Sequence, residues 1–96
     1  MYVLIAYDVS TTTPAGRKRL RNVAKACLDY GQRVQNSVFE CKVDPAQLVA
    51  LRSRLESLMK PDEDSIRIYN LGANWKKRVE HLGAKMPFDI EGTLLV

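Results

Sequence analysis

Apolar and polar positions set out a series of short elements from the first residues onward. In YVLIAYDV, Val3, Ile5, Tyr7 and Val9 fall on one face of an extended chain, with Tyr2, Leu4, Ala6 and Asp8 on the other. Both faces are apolar until Asp8, the pattern of a central strand covered on both sides. Thr13-Pro14 then supplies a helix cap followed by proline at the first helical position. Beyond it, Leu20, Val23, Ala24, Cys27 and Leu28 recur at helical spacing and predict an amphipathic helix with Gly31 as its stop. Residues 33–43, RVQNSVFECKV, predict a second strand rich in Val, Phe and small polar residues. Asp44-Pro45 caps the next helix, Gln47 is placed for a capping box, and Leu48, Leu51, Leu55, Leu58 and Met59 form its apolar stripe. Lys60-Pro61 ends it. After the acidic turn Asp62-Glu63-Asp64, residues 65–71 (SIRIYNL) predict a third strand, and KKRVEHLG a short fourth one. In residues 87–96, Phe88, Ile90 and Leu94 alternate with Asp89, Glu91 and Thr93, which predicts a terminal strand interrupted by Gly92.

This order, β-α-β-α-β-β with a strand to spare, predicts an α+β, ferredoxin-like domain with two helices on one face of an antiparallel sheet. The chain has few elements left for the other face, so a second copy in a two-fold homodimer is the expected cover. A terminal strand at 87–96 added to the partner's sheet edge would hide an aggregation-prone edge. The whole of 1–96 reads as one domain, without repeats or linkers.

Composition narrows the functional classes. The 46% hydrophobic fraction is ordinary for a globular protein, and no apolar run reaches the ~20 residues of a membrane span. The opening apolar stretch is too short for a signal-peptide core and lacks a basic flank, so a cytoplasmic protein is expected. Thirteen residues separate Cys27 from Cys41, with a single His in the chain, so both cysteines read as reduced packing residues. The formal net charge is +4, and Arg17, Lys18, Arg19, Arg21 and Lys25 fall in a stretch that holds no acid. Arg17, Arg21 and Lys25 stand four apart, off the apolar stripe. Such a run is either a solvated helix face or the footprint of a nucleic acid.

Asp8 ends the first strand beside Ser10, Thr11 and Thr12. It is either a loop carboxylate that caps nearby amides or a ligand for Mg²⁺, which takes one or two carboxylates, several waters and substrate phosphates. One Asp per chain is a poor site alone, and a two-fold axis near the strand end would supply the second. In the second strand, Arg33, Gln35, Ser37 and Phe39 share a face by period two. Interface pairing and phosphate contact stand equally open for Ser37 and Arg33, and Phe39 reads as packing. No Ser or Cys nucleophile stands out, His81 lacks a triad, and neither a phosphate-cradling glycine loop nor the aromatics of an RNA-recognition sheet is present.

The strand ending Tyr7-Asp8, the helix opening with Arg17 and Arg19, and the stretch RVQNSVFE of residues 33–40 together resemble the small CRISPR-associated adaptation nuclease family, Cas-two. The run LGANWKKRVEHLGAK and the ending DIEGTLLV resemble the branch of type I-C systems. The resemblance implies a homodimeric, Mg²⁺-dependent endonuclease acting on single-stranded RNA or double-stranded DNA. It implies Asp8 as metal ligand, a catalytic group of Asp8, Tyr7 and Ser37, and nucleic-acid contacts from Arg17, Arg19, Arg33 and Phe39. The basic run adds Lys18 and Arg21, and the register could equally place Arg19 and Arg21 in the roles of Arg17 and Arg19. It also implies a partnership with the Cas-one integrase in spacer capture. A non-catalytic DNA-binding scaffold and a toxin ribonuclease of the VapD type are the alternative readings.

Overall fold

Six elements follow one another in the computed structural model, which describes residues 1–74, 77–80 and 82. They are β1 (Tyr2–Asp8), α1 (Pro14–Leu28), β2 (Gly31–Gln35), β3 (Val38–Lys42), α2 (Pro45–Leu58) and β4 (Ser65–Gly72). The sheet order is β2-β3-β1-β4, and every pairing is antiparallel. β-α-β-β-α-β in this order is the ferredoxin-like arrangement, and β1 is an inner strand as its apolar pattern predicts.

The predicted single strand over 33–43 is corrected to a hairpin. Asn36 and Ser37 form a turn between β2 and β3, which brings Arg33 opposite Phe39 and Gln35 opposite Val38, with an irregularity between Arg33 and Gln35. The physical reason is that polar side chains are costly in mid-strand, and a two-residue turn leaves Asn36 in solvent and Ser37 half-exposed. The period-two face of Arg33, Gln35, Ser37 and Phe39 dissolves with the single strand. In the run KKRVEHLG, Lys77 and Arg78 form a tight turn and Val79 and Glu80 lie outside any strand, so the described part of the predicted fourth strand is irregular. His81 and the predicted strand at 87–96 lie outside the described residues.

Both helices start as their caps predict. The Thr13 side chain accepts from the Gly16 amide at 3.0 Å. Asp44 and Gln47 form a reciprocal capping box, with bonds of 2.7 and 3.0 Å. Gly31 does not stop α1, which ends at Leu28 with Asp29 as its cap. It opens β2, where a Cβ would sit 2.0 Å from the Glu40 carbonyl oxygen. Leu28, expected in the buried stripe, is 50% exposed, because α1 ends there as the chain turns into β2.

Both helices cover one face of the sheet. Val3, Ile5, Tyr7 and Val9 of that face pack with Val23, Ala26, Cys27, Phe39, Cys41, Leu51 and Leu55 into the core. On the other face of β1, Leu4 and Ala6 are half-buried and Asp8 is exposed. Cys27 and Cys41 are buried free thiols, pushed up by burial to about 11 and about 12, so they pack as neutral thiols. Phe39 is fully buried, stacked on Tyr7 at 5.8 Å between ring centroids. The Phe39→Ala variant is expected to lose about 3 to 4 kcal/mol of stability, read as a lower urea midpoint. A loss below about 1 kcal/mol would place Phe39 outside the core.

Candidate active site

Four segments meet at the C-terminal end of β1: the strand end itself, the loop 9–13 leading into α1, the β2–β3 turn, and the approach to β4. Asp8 pairs across the ladder with Ser65, the first residue of β4. Among the described residues its carboxylate has no hydrogen-bond or ion-pair partner, and it is exposed on the face away from the helices. Neighbouring strand residues point to opposite faces, so Tyr7 points into the core instead.

Tyr7 holds the hairpin tip. Its amide donates to the Ser37 carbonyl at 3.0 Å and its hydroxyl to the Asn36 carbonyl at 3.4 Å. The Arg33 guanidinium lies over the Phe39 ring at 5.2 Å from the centroid, a cation–π contact. Burial raises the Tyr7 hydroxyl above the ordinary tyrosine range, with nearby Arg33 opposing the rise, so the group is protonated at neutral pH. Tyr7 and Phe39 therefore support Ser37 from the core side rather than lining a surface with Asp8. Ser37 itself is half-buried in the turn.

The residue the sequence reading passed over is Asp64. It closes the acidic turn, and its side chain has no solvent exposure. One carboxylate oxygen, Oδ2, accepts Arg19 Nε at 2.8 Å and the Lys60 amide at 2.9 Å. The other, Oδ1, accepts Arg19 Nη2 at 3.3 Å and the Ser10 amide at 3.3 Å. These bonds, the Arg19 contact first among them, hold the Asp64 carboxyl below its ordinary range. The signal available in sequence was an acid directly ahead of a strand. What hid the role was distance, since Arg19 is 45 residues away.

Arg19 is thus engaged with Asp64 and, through Nη2, with Glu63 at 3.0 Å. It does not stand with the free cations of the basic run. Arg17, Lys18, Arg21 and Lys25 are exposed along α1, and Arg17 donates to the Thr11 carbonyl at 3.1 Å. Arg17 and Arg21 face solvent, and Arg19, common to both registers offered by the sequence, faces the protein. The exposed cations run along α1 on the helix side of the sheet, with Arg17 and Lys18 in its first turns and Lys25 in its last, and Asp8 lies on the opposite side.

A metal is tested by its donors. Among the described residues no three His, Cys, Asp or Glu side chains gather into a metal site. Asp8 is a hard, unpartnered oxygen donor, the type Mg²⁺ takes, and one chain offers one such carboxylate. The donor type fits, and the number requires a second chain or a phosphate.

Residues 1–79 match the family profile described as CRISPR associated protein Cas2. The chain belongs to the Cas2 family. It is 65% identical over 96 residues to the CRISPR-associated endoribonuclease Cas2 of Chlorobaculum tepidum, covering 100% of both chains. It is 64% identical to Cas2 of Streptococcus pyogenes in a crystal structure at pH 6.5, with a TM-score of 0.78, covering 86% of this chain and 100% of that one. A partial Cas6-RT-Cas1–Cas2 complex contains a chain 28% identical, with a TM-score of 0.64, covering 98% of this chain and 88% of that one.

Loss of the Asp64 charge has a defined cost in a Cas2 chain built this way. Asp64→Asn offers one acceptor oxygen where two are used, and is expected to lower stability by about 2 kcal/mol at neutral pH. The wild-type contribution also depends on pH. Because the folded carboxyl titrates below the unfolded one, the unfolded chain binds more protons in the window between them. Stability from Asp64 is complete above about pH 5, and is lost as pH falls through the ordinary Asp value of about 3.9 and then the folded one. Urea midpoints between pH 3 and 6 should fall more steeply for wild type than for Asp64→Asn; parallel curves would contradict the assignment.

Proposed function

We propose that this Cas2 chain acts as a homodimeric, Mg²⁺-dependent endonuclease of CRISPR adaptation, with the Asp8 carboxylates of two subunits as the metal ligands. The observation that carries this reading is Asp8 itself: exposed, unpartnered among the described residues, and fixed at the end of an inner strand on the face the helices leave open. The nuclease name of the Chlorobaculum tepidum relative supports it. When bound, Mg²⁺ supplies Lewis-acid polarisation of a phosphodiester and a more acidic water. The chain supplies Asp8 to hold the ion and the Ser37 turn beside it. Arg17, Lys18 and Arg21 of the basic helix face hold a polyanion, either single-stranded RNA or duplex DNA. Tyr7, Phe39 and Arg33 brace the hairpin tip, and Arg19 braces the loop after Asp8.

The dimer reading has its own support. Among the described residues β4 is an edge strand, and beside it Leu48, Val49, Leu55, Met59, Ile66 and Ile68 line a groove of about 560 Å³. A strand at 87–96 of the partner, carrying Phe88, Ile90 and Leu94, suits such an edge. Light scattering should give a dimer for the full chain and a smaller species for a chain ending at residue 86. A full-length monomer at micromolar concentration would contradict the paired-Asp8 site.

The second reading, a DNA-binding scaffold for the Cas-one integrase, is favoured by the placement of the free α1 cations on the sheet side opposite Asp8. The partial complex containing Cas1 and Cas2 supports that partner. The two readings are compatible in one protein and separable by mutation. A cytoplasmic location accords with both, and no helix of the described residues is long and apolar enough to cross a membrane. The type I-C assignment rests on the LGANWKKRVEHLGAK and DIEGTLLV runs alone.

Asp8→Asn should abolish Mg²⁺-dependent cleavage of RNA and duplex DNA while leaving duplex affinity within about twofold. Unchanged cleavage by Asp8→Asn would remove the nuclease reading. Lys18→Ala with Arg21→Ala should instead weaken duplex binding across all sequences, and reduce the slope of log affinity against log salt by about 1 per cation. An unaltered salt slope would remove the basic face from the interface.

A further inference from the structure

Asp8 makes no side-chain hydrogen bond or ion pair of its own among the described residues, so its carboxylate is placed by the backbone that carries it. That backbone is gripped from one neighbouring segment. Ser65 is the ladder partner of Asp8, and Asp64, the residue before it, accepts the Ser10 amide two positions beyond Asp8. A third contact closes the grip from α1. A Cβ at Gly16 would fall 1.8 Å from the Ser10 carbonyl oxygen, so the first turn of α1 lies directly against the other side of Ser10, at the next peptide unit. The Asp64 carboxylate is in turn oriented by the two-pronged Arg19 contact and by the Lys60 amide. Residues from α1, the 60–64 turn and β4 thus hold the three-residue stretch Asp8–Ser10, at Asp8 and at both backbone groups of Ser10.

We infer that Asp64 is a positioning residue for the nuclease site, fixing the Asp8 carboxylate through the Ser10 N–H, with Arg19 holding Asp64 in register. The inference rests on the proposed role of Asp8, and adds to it a buried acid and a helix arginine that touch neither metal nor substrate. It gives Arg19 a function without contact to nucleic acid. Small displacements of a reacting group are costly in rate, and supporting contacts of this kind typically change activity by ten- to a hundredfold.

The test compares Asp64→Asn with Leu51→Ala, a core variant in α2 away from the loop, both under conditions where each is fully folded. The substrates are a single-stranded RNA oligonucleotide and a DNA duplex, with Mg²⁺ as the varied ion. Asp64→Asn should lower kcat at least tenfold with KM within twofold, and raise the Mg²⁺ concentration for half-maximal rate. Leu51→Ala should leave all three unchanged per folded molecule. Independently of activity, metal-free NMR should show the Ser10 amide losing exchange protection and the Asp8 side-chain carboxyl ¹³C signal shifting in Asp64→Asn only. If Asp64→Asn does not fold, Arg19→Lys carries the same test, since it keeps the cation and loses the two-pronged geometry.

Wild-type kcat and Mg²⁺ dependence in the folded Asp64→Asn, alongside an inactive Asp8→Asn, would overturn the positioning role and leave the nuclease reading standing. Equal losses in Leu51→Ala would also overturn it. If Asp8→Asn cleaves normally, the nuclease reading falls first. The NMR comparison then decides the geometric claim: an unshifted Asp8 carboxyl signal in Asp64→Asn overturns it, and a shifted one upholds it.

Discussion

The buried carboxylate of Asp64 is the contact on which the described end of the molecule depends. It joins the loop after β1 and the first half of α1 to the turn before β4, 45 or more residues further along the chain, at one pair of oxygens. A carboxylate without solvent contact is stable as an ion only when its oxygens are filled by donors, and here each oxygen accepts two. The hydrophobic core beneath, from Val3 to Leu55, stacks helices on the sheet without specifying how the loops at its edge are arranged. The polar contact supplies that specification.

The alternation of β1 then sorts the chemistry by face. Tyr7 joins the core, stacks on Phe39 and ties down the β2–β3 turn, while Asp8 emerges on the far side. A motif that reads as one unit in sequence, Tyr-Asp, is thus divided between the core and an exposed face. The basic run on α1 divides in a similar way. Arg19 turns inward to the acid, and Arg17, Lys18, Arg21 and Lys25 remain exposed on the surface. Charge in this protein therefore stands in two settings, one inward and one exposed, that composition alone does not separate.

What was legible from sequence was mostly local. The caps at Thr13 and Asp44, the apolar stripe of α2 and the inner position of β1 follow from periodicity and from side chains that bond their own backbone. The hairpin at Asn36-Ser37 was missed because both flanking segments favour extended structure and neither turn residue is glycine. Gly31 misled for a related reason: its lack of a side chain serves a close strand approach, not a helix stop. The ion pair between Arg19 and Asp64 was out of reach, since a contact across 45 residues leaves no local pattern. The ferredoxin-like class survived these errors, because splitting one predicted strand into two only completed the β-α-β-β-α-β order.

The paired-carboxylate site is the central claim, and the stoichiometry of metal binding tests it most directly. Titration of the metal-free protein with Mn²⁺, followed by electron paramagnetic resonance, counts bound ions per chain without any substrate. A site shared across a two-fold axis predicts one strongly bound Mn²⁺ per two chains, absent from Asp8→Asn. One ion per chain, or undiminished binding in Asp8→Asn, would contradict it.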